Sequence, residues 1–281
     1  DVGGFRCNVF HQRHTPAAVV RMIPLVIPSL DHLGLPEVVK SVAMRHQGLV
    51  LFTGATGSGK STSLAAMIQY MNETRFSHII TIEDPIEFVF KDARCSITQR
   101  EVGEDTLSVS DALVAGLRQD PDVIMLGELR DTTTIQAALT AAETGHLVIA
   151  TLHTNDAKST IDRILDAFPA DARNMIRIQL AHTLAAVIAQ KLVLRADGKG
   201  RTVATEILIN SPTIAMNIMD NMVEKIPETM ENSGNYYNMH TLNKDLERLV
   251  ACGAVTMEEA LQSSHNPEDL KLRLSGIQRE G

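Results

Sequence analysis

The chain has 281 residues, 44% of them hydrophobic and 21% charged, ordinary figures for a protein with one or two sizeable apolar cores. A formal net charge of −8 weighs against a general nucleic-acid or anionic-membrane binder, and no apolar run approaches the roughly 18 residues that a membrane span requires. Cys7, Cys95 and Cys252 lie far apart without a C-x-x-C pair, so neither a zinc ribbon nor a disulfide framework is expected, and the reading is a reducing, cytosolic compartment.

Residues 1–24 alternate polar and apolar. Phe5, Cys7 and Val9 oppose Arg6 and Asn8, and Ala18 to Ile23 follow a polar Gln12–Pro16 turn, the pattern of a β-hairpin. Two strands alone are marginal in water, and the chain opens DVGGFRC without an initiating Met or a secretory signal. The segment is therefore expected to be the end of a truncated N-terminal domain, with 25–30 a linker punctuated by Pro24 and Pro28. From 31 to 210 apolar strands alternate with helical segments, the signature of an α/β fold with a mainly parallel sheet. From 211 to 281 helical periodicity dominates, with a stripe of Leu242, Leu246, Leu249 and Val250 and another from Glu258 to Leu261.

Within the α/β segment, GLVLFTGATGSGKST (48–62) carries G-x-x-x-x-G-K-[ST] at Gly54, Gly59, Lys60 and Ser61. The apolar run Leu49–Phe52 makes a buried strand. Glycines 54, 57 and 59 let the chain turn so that the N–H groups of Gly54, Ala55, Thr56, Gly57, Ser58, Gly59, Lys60, Ser61 and Thr62 surround an anion. The helix that follows offers its N-terminus to the same phosphates, Lys60 reaches the β- and γ-phosphates, and the Ser61 hydroxyl is the candidate ligand for Mg²⁺. The expected ligand is a nucleoside triphosphate.

Ligands of open α/β sheets bind outside the carboxyl ends of the strands, and three further apolar runs end there in reactive side chains. Ile79–Ile82 is followed by Glu83, Asp84 and Glu87; Val123–Leu126 by Gly127, Glu128 and Arg130; Leu147–Thr151 by His153, Asn155 and Asp156. Hydrolysis of ATP needs acids near the metal, a carboxylate to orient water and a sensor of the γ-phosphate. Glu128 is the candidate for polarising water, Glu83 the second acid near metal and water, and His153 the sensor; both glutamates would reach the metal through water. Asp84 before Pro85 also fits a turn, Asp131 and Thr132 fit a helix cap, and His146 fits a structural and a functional role equally.

These segments resemble the type IV pilus and type II secretion ATPase family of RecA-like hexameric motors. The resemblance rests on the Walker A stretch Gly54–Thr62, an Asp box at Thr81–Phe88 (TIEDPIEF), an atypical Walker B at Ile124–Asp131 (IMLGELRD), in which Gly127 stands where most P-loop proteins have aspartate, and a His box at Thr144–Ala157. DALVAGLRQDPD (111–122) and AQKL (189–192) extend it across 30–210, and it continues more loosely into both ends. It implies a RecA-like P-loop core, a remnant of a small α+β N-terminal domain, ATP and Mg²⁺ as ligands, and a homo-hexamer on the cytoplasmic face of the inner membrane, working with the platform protein of the pilus machine and without membrane insertion or direct nucleic-acid contact. In this family the active site lies between subunits and N-terminal arginines reach the phosphates, which assigns Arg6 and Arg21, and less strongly Arg13, as fingers acting in trans.

Within the family the chain is most similar to the retraction branch, which drives pilin depolymerisation and twitching motility, since residues 157–251 lack the tetracysteine insertion of extension and secretion enzymes. One departure is TIAMNIMDN (213–221): Ala215 and Met219 stand where the retraction branch bears arginines. That leaves an accessory paralogue, or a secretion or extension ATPase of the same family, as the alternative. Met216, Met219 and Met222 at helical spacing are expected in a core more than on a partner surface. From a different class, a DNA-handling RecA-like motor is disfavoured by the acidic balance and the lack of aromatic–basic interleaving. A non-hydrolysing scaffold is disfavoured by the intact Lys60, Glu83, Glu128 and His153.

Overall fold

The computed structural model describes residues 4–23 and 26–276; Pro24, the last residue of the expected N-terminal segment, Leu25, the first of the expected linker, and residues 1–3 and 277–281 lie outside the described residues. The first strands, β1 (Gly4–Gln12) and β2 (Thr15–Ile23), form an antiparallel ribbon. Its turn is shorter than the expected Gln12–Pro16. Only Arg13 and His14 lie between the strands, both at positive φ (46° and 64°), as a two-residue hairpin of right-handed twist demands. Phe5, Val9, Val19, Val20 and Met22 stay exposed on the ribbon. Arg6 sits directly opposite Arg21, so both side chains leave the same face.

The remaining elements follow as α1 (Val38–Ala43), β3 (Gly48–Thr53), α2 (Lys60–Thr74), β4 (His78–Glu83), β5 (Ser96–Glu101), α3 (Val109–Gly116), β6 (Val123–Leu126), α4 (Thr132–Glu143), β7 (Leu147–Leu152), α5 (Ala157–Asp166), α6 (Arg173–Thr183), β8 (Leu184–Leu194) and β9 (Arg201–Ile209). The C-terminal helices are α7 (Pro212–Met219), α8 (Ile226–Tyr237), α9 (Leu242–Ala251), α10 (Met257–Ser263) and α11 (Pro267–Leu274). The sheet has seven strands in the order β5-β4-β6-β7-β3-β8-β9, parallel throughout except for β9, which runs antiparallel to β8.

This order positions the site. Every residue of β3, β6 and β7 is buried, as strands covered by helices on both faces must be. Each fully buried Leu, Ile or Phe, such as Phe52, Ile80 or Leu126, contributes about 1.5–3 kcal/mol relative to exposure. The carboxyl ends of β4, β6, β7 and β3 are consecutive in the sheet, so Glu83, Glu128, His153 and the P-loop emerge side by side.

The main apolar core does not stop at residue 210. Ile214, Ile218, Ile226 and Met230 of α7 and α8 pack into it, whereas Leu242, Leu246, Leu249, Ala260 and Leu270 of α9 to α11 gather with Val193 and Ala204 into a second cluster against the β8–β9 hairpin. The expected leucine stripe is the inner face of α9. The methionines divide differently from expectation: Met216 and Met222 are exposed, and only Met219, with Ala215, leans on the main core. The helix starts on Pro212 after a Ser211 cap, and this phase turns Ile214, Asn217 and Ile218 inward instead.

Candidate active site

A cavity of about 670 Å³ opens at the carboxyl ends of β3, β4, β6 and β7, within the range of small-molecule sites. Lys60, Ser61, Thr62, Glu83, Glu128 and His153 line it, as do Arg21 from the ribbon and Arg130, Leu192 and Arg201 from the core. Arg21 therefore lines the same cavity as the P-loop of its own chain, and Arg6 is not among the lining residues.

The P-loop is held by its surroundings as much as by its own sequence. Gly54 adopts φ 139°, and a Cβ there would fall 2.4 Å from the Gln190 carbonyl oxygen and 2.5 Å from Ser58 Oγ. The α2 N-terminus is capped by no side chain, which leaves its first N–H groups for an anion. Lys60 is buried and donates to the carbonyl oxygens of Gly54 (2.7 Å) and Ala55 (3.1 Å). Burial pulls this ammonium below its ordinary value, while the charges of Glu128 and Glu87 push it back up. The buried Ser58 hydroxyl has no hydrogen-bond partner among the described residues. Such a group carries a desolvation cost, and Ser58 is not among the residues that line the cavity.

Gln190 went without a role in the sequence. Its Nε2 donates to the Ser58 carbonyl (3.0 Å) and to Ser63 Oγ (3.1 Å), tying β8 to both ends of the loop-to-helix turn. The available signal was a lone amide in the apolar run LAAVIAQKLVL. Gln190→Ala is expected to raise the KM for ATP about tenfold with kcat little changed, since loss of the brace leaves the Ser58 carbonyl unpaired. Steady-state kinetics check this, and an unaltered KM would refute the brace.

The two glutamates sit in different environments. Glu83 ends β4 and is buried; its Oε1 accepts from Thr81 Oγ1 (2.7 Å) and Gln99 Nε2 (3.2 Å), and its Oε2 from the Glu87 N–H (3.5 Å). Burial raises its pKa above the ordinary carboxylate range, against the lowering effect of those hydrogen bonds. Glu128 is bound on both oxygens, Oε2 by Arg130 Nε (2.7 Å) and Oε1 by His153 Nε2 (3.3 Å). Arg130 reaches on to Asp84 (3.2 Å). His153 Nδ1 lies 3.4 Å from Lys60 Nζ. The ammonium can only donate, so the tautomer that serves both contacts carries its proton on Nε2, toward Glu128.

Several strand-end residues have structural duties. Asp131 caps α4 through the Thr134 N–H and is held below the usual carboxylate range by it. Asp156 caps α5 through the Ser159 N–H. His146 Nδ1 contacts the Ala141 carbonyl at 3.0 Å, fastening the end of α4 away from the cavity lining.

A P-loop on an interior strand of a mainly parallel sheet, flanked by acids and a histidine on successive strand ends, defines a RecA-like P-loop ATPase core. Residues 4–271 match the family described as Type II/IV secretion system protein, and the chain belongs to that family. It is 47% identical over 268 residues to the type IV pilus retraction ATPase PilT of Pseudomonas aeruginosa, covering 95% of this chain and 77% of that protein. It is 45% identical over 273 residues to the type IV pilus ATPase PilU of the same organism, covering 97% and 71%. A crystal structure of the pilus retraction motor PilT with bound ADP superposes with a TM-score of 0.89 at 48% identity, covering 95% of this chain and 76% of that one.

Proposed function

We propose that this chain is the motor ATPase of pilus retraction, hydrolysing ATP as a cytoplasmic homo-hexamer that acts with the platform protein at the inner membrane. The observation that carries the reading is its likeness to PilT over nearly the whole chain, together with an unbroken set of P-loop, glutamate and histidine groups around one cavity. Among the described residues no helix is long and apolar enough to cross a membrane. Residues 31–210 act as the ATPase core, the ribbon as the end of an N-terminal module, and the helices after 210 as the output region.

In this reading the P-loop N–H groups and Lys60 hold the phosphates of ATP. The Ser61 hydroxyl would hold Mg²⁺, with Glu83 and Glu128 acting on it through water, and the ion would supply neutralisation of phosphate charge. Glu83 takes the proton of the attacking water, because it is buried, has a raised pKa and is held only by neutral donors. Glu128 orients that water and the metal shell. His153, bridging Glu128 and Lys60, reports occupancy of the γ-phosphate position. Arg21 neutralises charge developing on the transferred phosphoryl group, with Arg6 beside it across the ribbon.

The accessory reading is favoured by one observation: Ala215 and Met219 present no cation from α7, and the PilU likeness is nearly as high. Pilus dynamics in a deletion strain separate the two. Retraction is expected to stop in the deletion and to return with the wild-type gene; a strain that still retracts, but weakly under load, assigns the chain to the accessory role, and loss of assembly overturns both.

A further inference from the structure

A second cavity, about 360 Å³, is lined by residues of α5, α8, α9 and α11 and by Glu206 of β9. At its edge stands Glu206, a residue that the hydrolytic reading leaves unused. Its Oε1 accepts from the N–H of Ala157, the first residue of α5 (2.8 Å), and its Oε2 from the N–H of Leu242, the first residue of α9 (3.3 Å). One carboxylate thus meets the N-termini of two helices that are far apart in the chain, each of which attracts negative charge.

The arrangement is not what local helix capping requires. The residue before α9 is Thr241, a competent cap, yet its hydroxyl is turned away and donates to Glu231. The neighbouring Thr205 is fixed to α9 as well, through Asp245 Oδ2 (2.8 Å from its N–H), and Ile207 exchanges backbone hydrogen bonds with His240. On the other side α5 begins at Ala157, only four residues after His153. The double cap holds a carboxyl that burial pushes up to about 7.

We infer that Glu206 is a positioning residue that joins the His153 segment to the C-terminal helices: a shift of the α5 start, driven by nucleotide at His153, is passed through the shared carboxylate to the start of α9, and the adjoining cavity leaves room for that movement. The inference rests on the proposed sensing role of His153. It makes Glu206 the mechanical link between the ATP site and the output region.

The test is amide hydrogen exchange on the full chain with and without ADP, for wild type and Glu206→Gln. Glutamine keeps the volume and one acceptor oxygen but presents an NH₂ to the other helix, so the double cap is broken without emptying the site. In wild type, ADP is expected to slow exchange in the P-loop, at Ala157–Ile161 and at Leu242–Glu247. In Glu206→Gln the P-loop and α5 responses persist, while the response of α9 shrinks by roughly fivefold, the factor that loss of one cap represents. A full α9 response in Glu206→Gln overturns the link. So does a wild-type α9 that ignores ADP while the P-loop responds, a result that leaves the ATPase reading standing. A P-loop that does not respond to ADP overturns the ATPase reading itself. Melting of both proteins followed by circular dichroism keeps unfolding apart from uncoupling: a variant melting within a few degrees of wild type has lost the coupling alone, and one melting far lower makes Glu206 a structural cap and overturns the inference.

Discussion

Glu83→Gln will bind ATP almost as wild type does and hydrolyse it at least about a hundredfold more slowly, the scale expected for loss of a general base. The raised pKa supplies a second signature. A base works only when deprotonated, so the wild-type rate falls as pH drops through the Glu83 pKa, which burial places above the ordinary carboxylate value. The acidic limb of the kcat profile therefore lies higher than a free glutamate would set it. In Glu83→Gln the residual rate is flat across that limb, whereas Glu128→Gln, slow for want of orientation, keeps it. Quench-flow or coupled-assay rates between pH 4.5 and 9 read both effects. Should Glu128→Gln flatten the limb and Glu83→Gln keep it, the two roles are exchanged.

The same burial has a consequence for stability. A folded-state pKa above the unfolded one means that the folded state binds more protons between the two values, so stability falls as pH rises through that window and the full penalty holds above it. Glu83→Gln removes a buried charge while keeping an acceptor for Thr81 or Gln99. The inactive variant is then the more stable protein at neutral pH and loses that advantage in acid, the usual exchange between a poised catalytic group and a relaxed fold.

What could be read from the sequence divides along physical lines. Glu83, Glu128 and His153 were legible because each follows a largely apolar run, and chain direction alone puts them at the carboxyl edge of a parallel sheet. Strand β5, SITQRE, was not legible: it is an edge strand, half-buried and polar, and its hydrophobicity carries no signal. The antiparallel return of β9 was missed because a turn around Gly198 and Gly200 says nothing of which neighbour the strand will take. Gln190, Arg201 and Glu206 belong to that hairpin, so their meeting with the P-loop, the cavity and two helix starts is a fact of tertiary structure alone. The ribbon's arginines show the same limit. Arg6 and Arg21 share a face because the observed two-residue turn pairs them directly, and only the placement of the ribbon brings Arg21 to the cavity.

Among substitutions in the P-loop, Gly54→Ala is expected to be far more damaging than Gly57→Ala, although both residues have positive φ. At Gly57 (φ 81°) an added Cβ meets nothing within 4 Å, and the cost is the strain of a left-handed L-residue, about 1–2 kcal/mol. That weakens ATP binding by about tenfold if the whole strain falls on the bound loop. At Gly54 the same atom would stand 2.4 Å from the backbone oxygen of Gln190, which β8 pairing with β3 holds in place, and 2.5 Å from the buried Ser58 Oγ. The backbone oxygen cannot retreat without breaking the sheet, so the loop moves, and with it the N–H groups and the Lys60 ammonium now anchored on the Gly54 carbonyl at 2.7 Å. Binding of a fluorescent ATP analogue is expected to weaken by more than about a hundredfold, because a cradle displaced by a fraction of an ångström loses several charge-assisted hydrogen bonds together. The fold survives, since the buried faces of β3 and α2 are untouched. Equal losses at the two glycines would mean that phosphate contact, and not the approach of β8, dictates glycine at position 54.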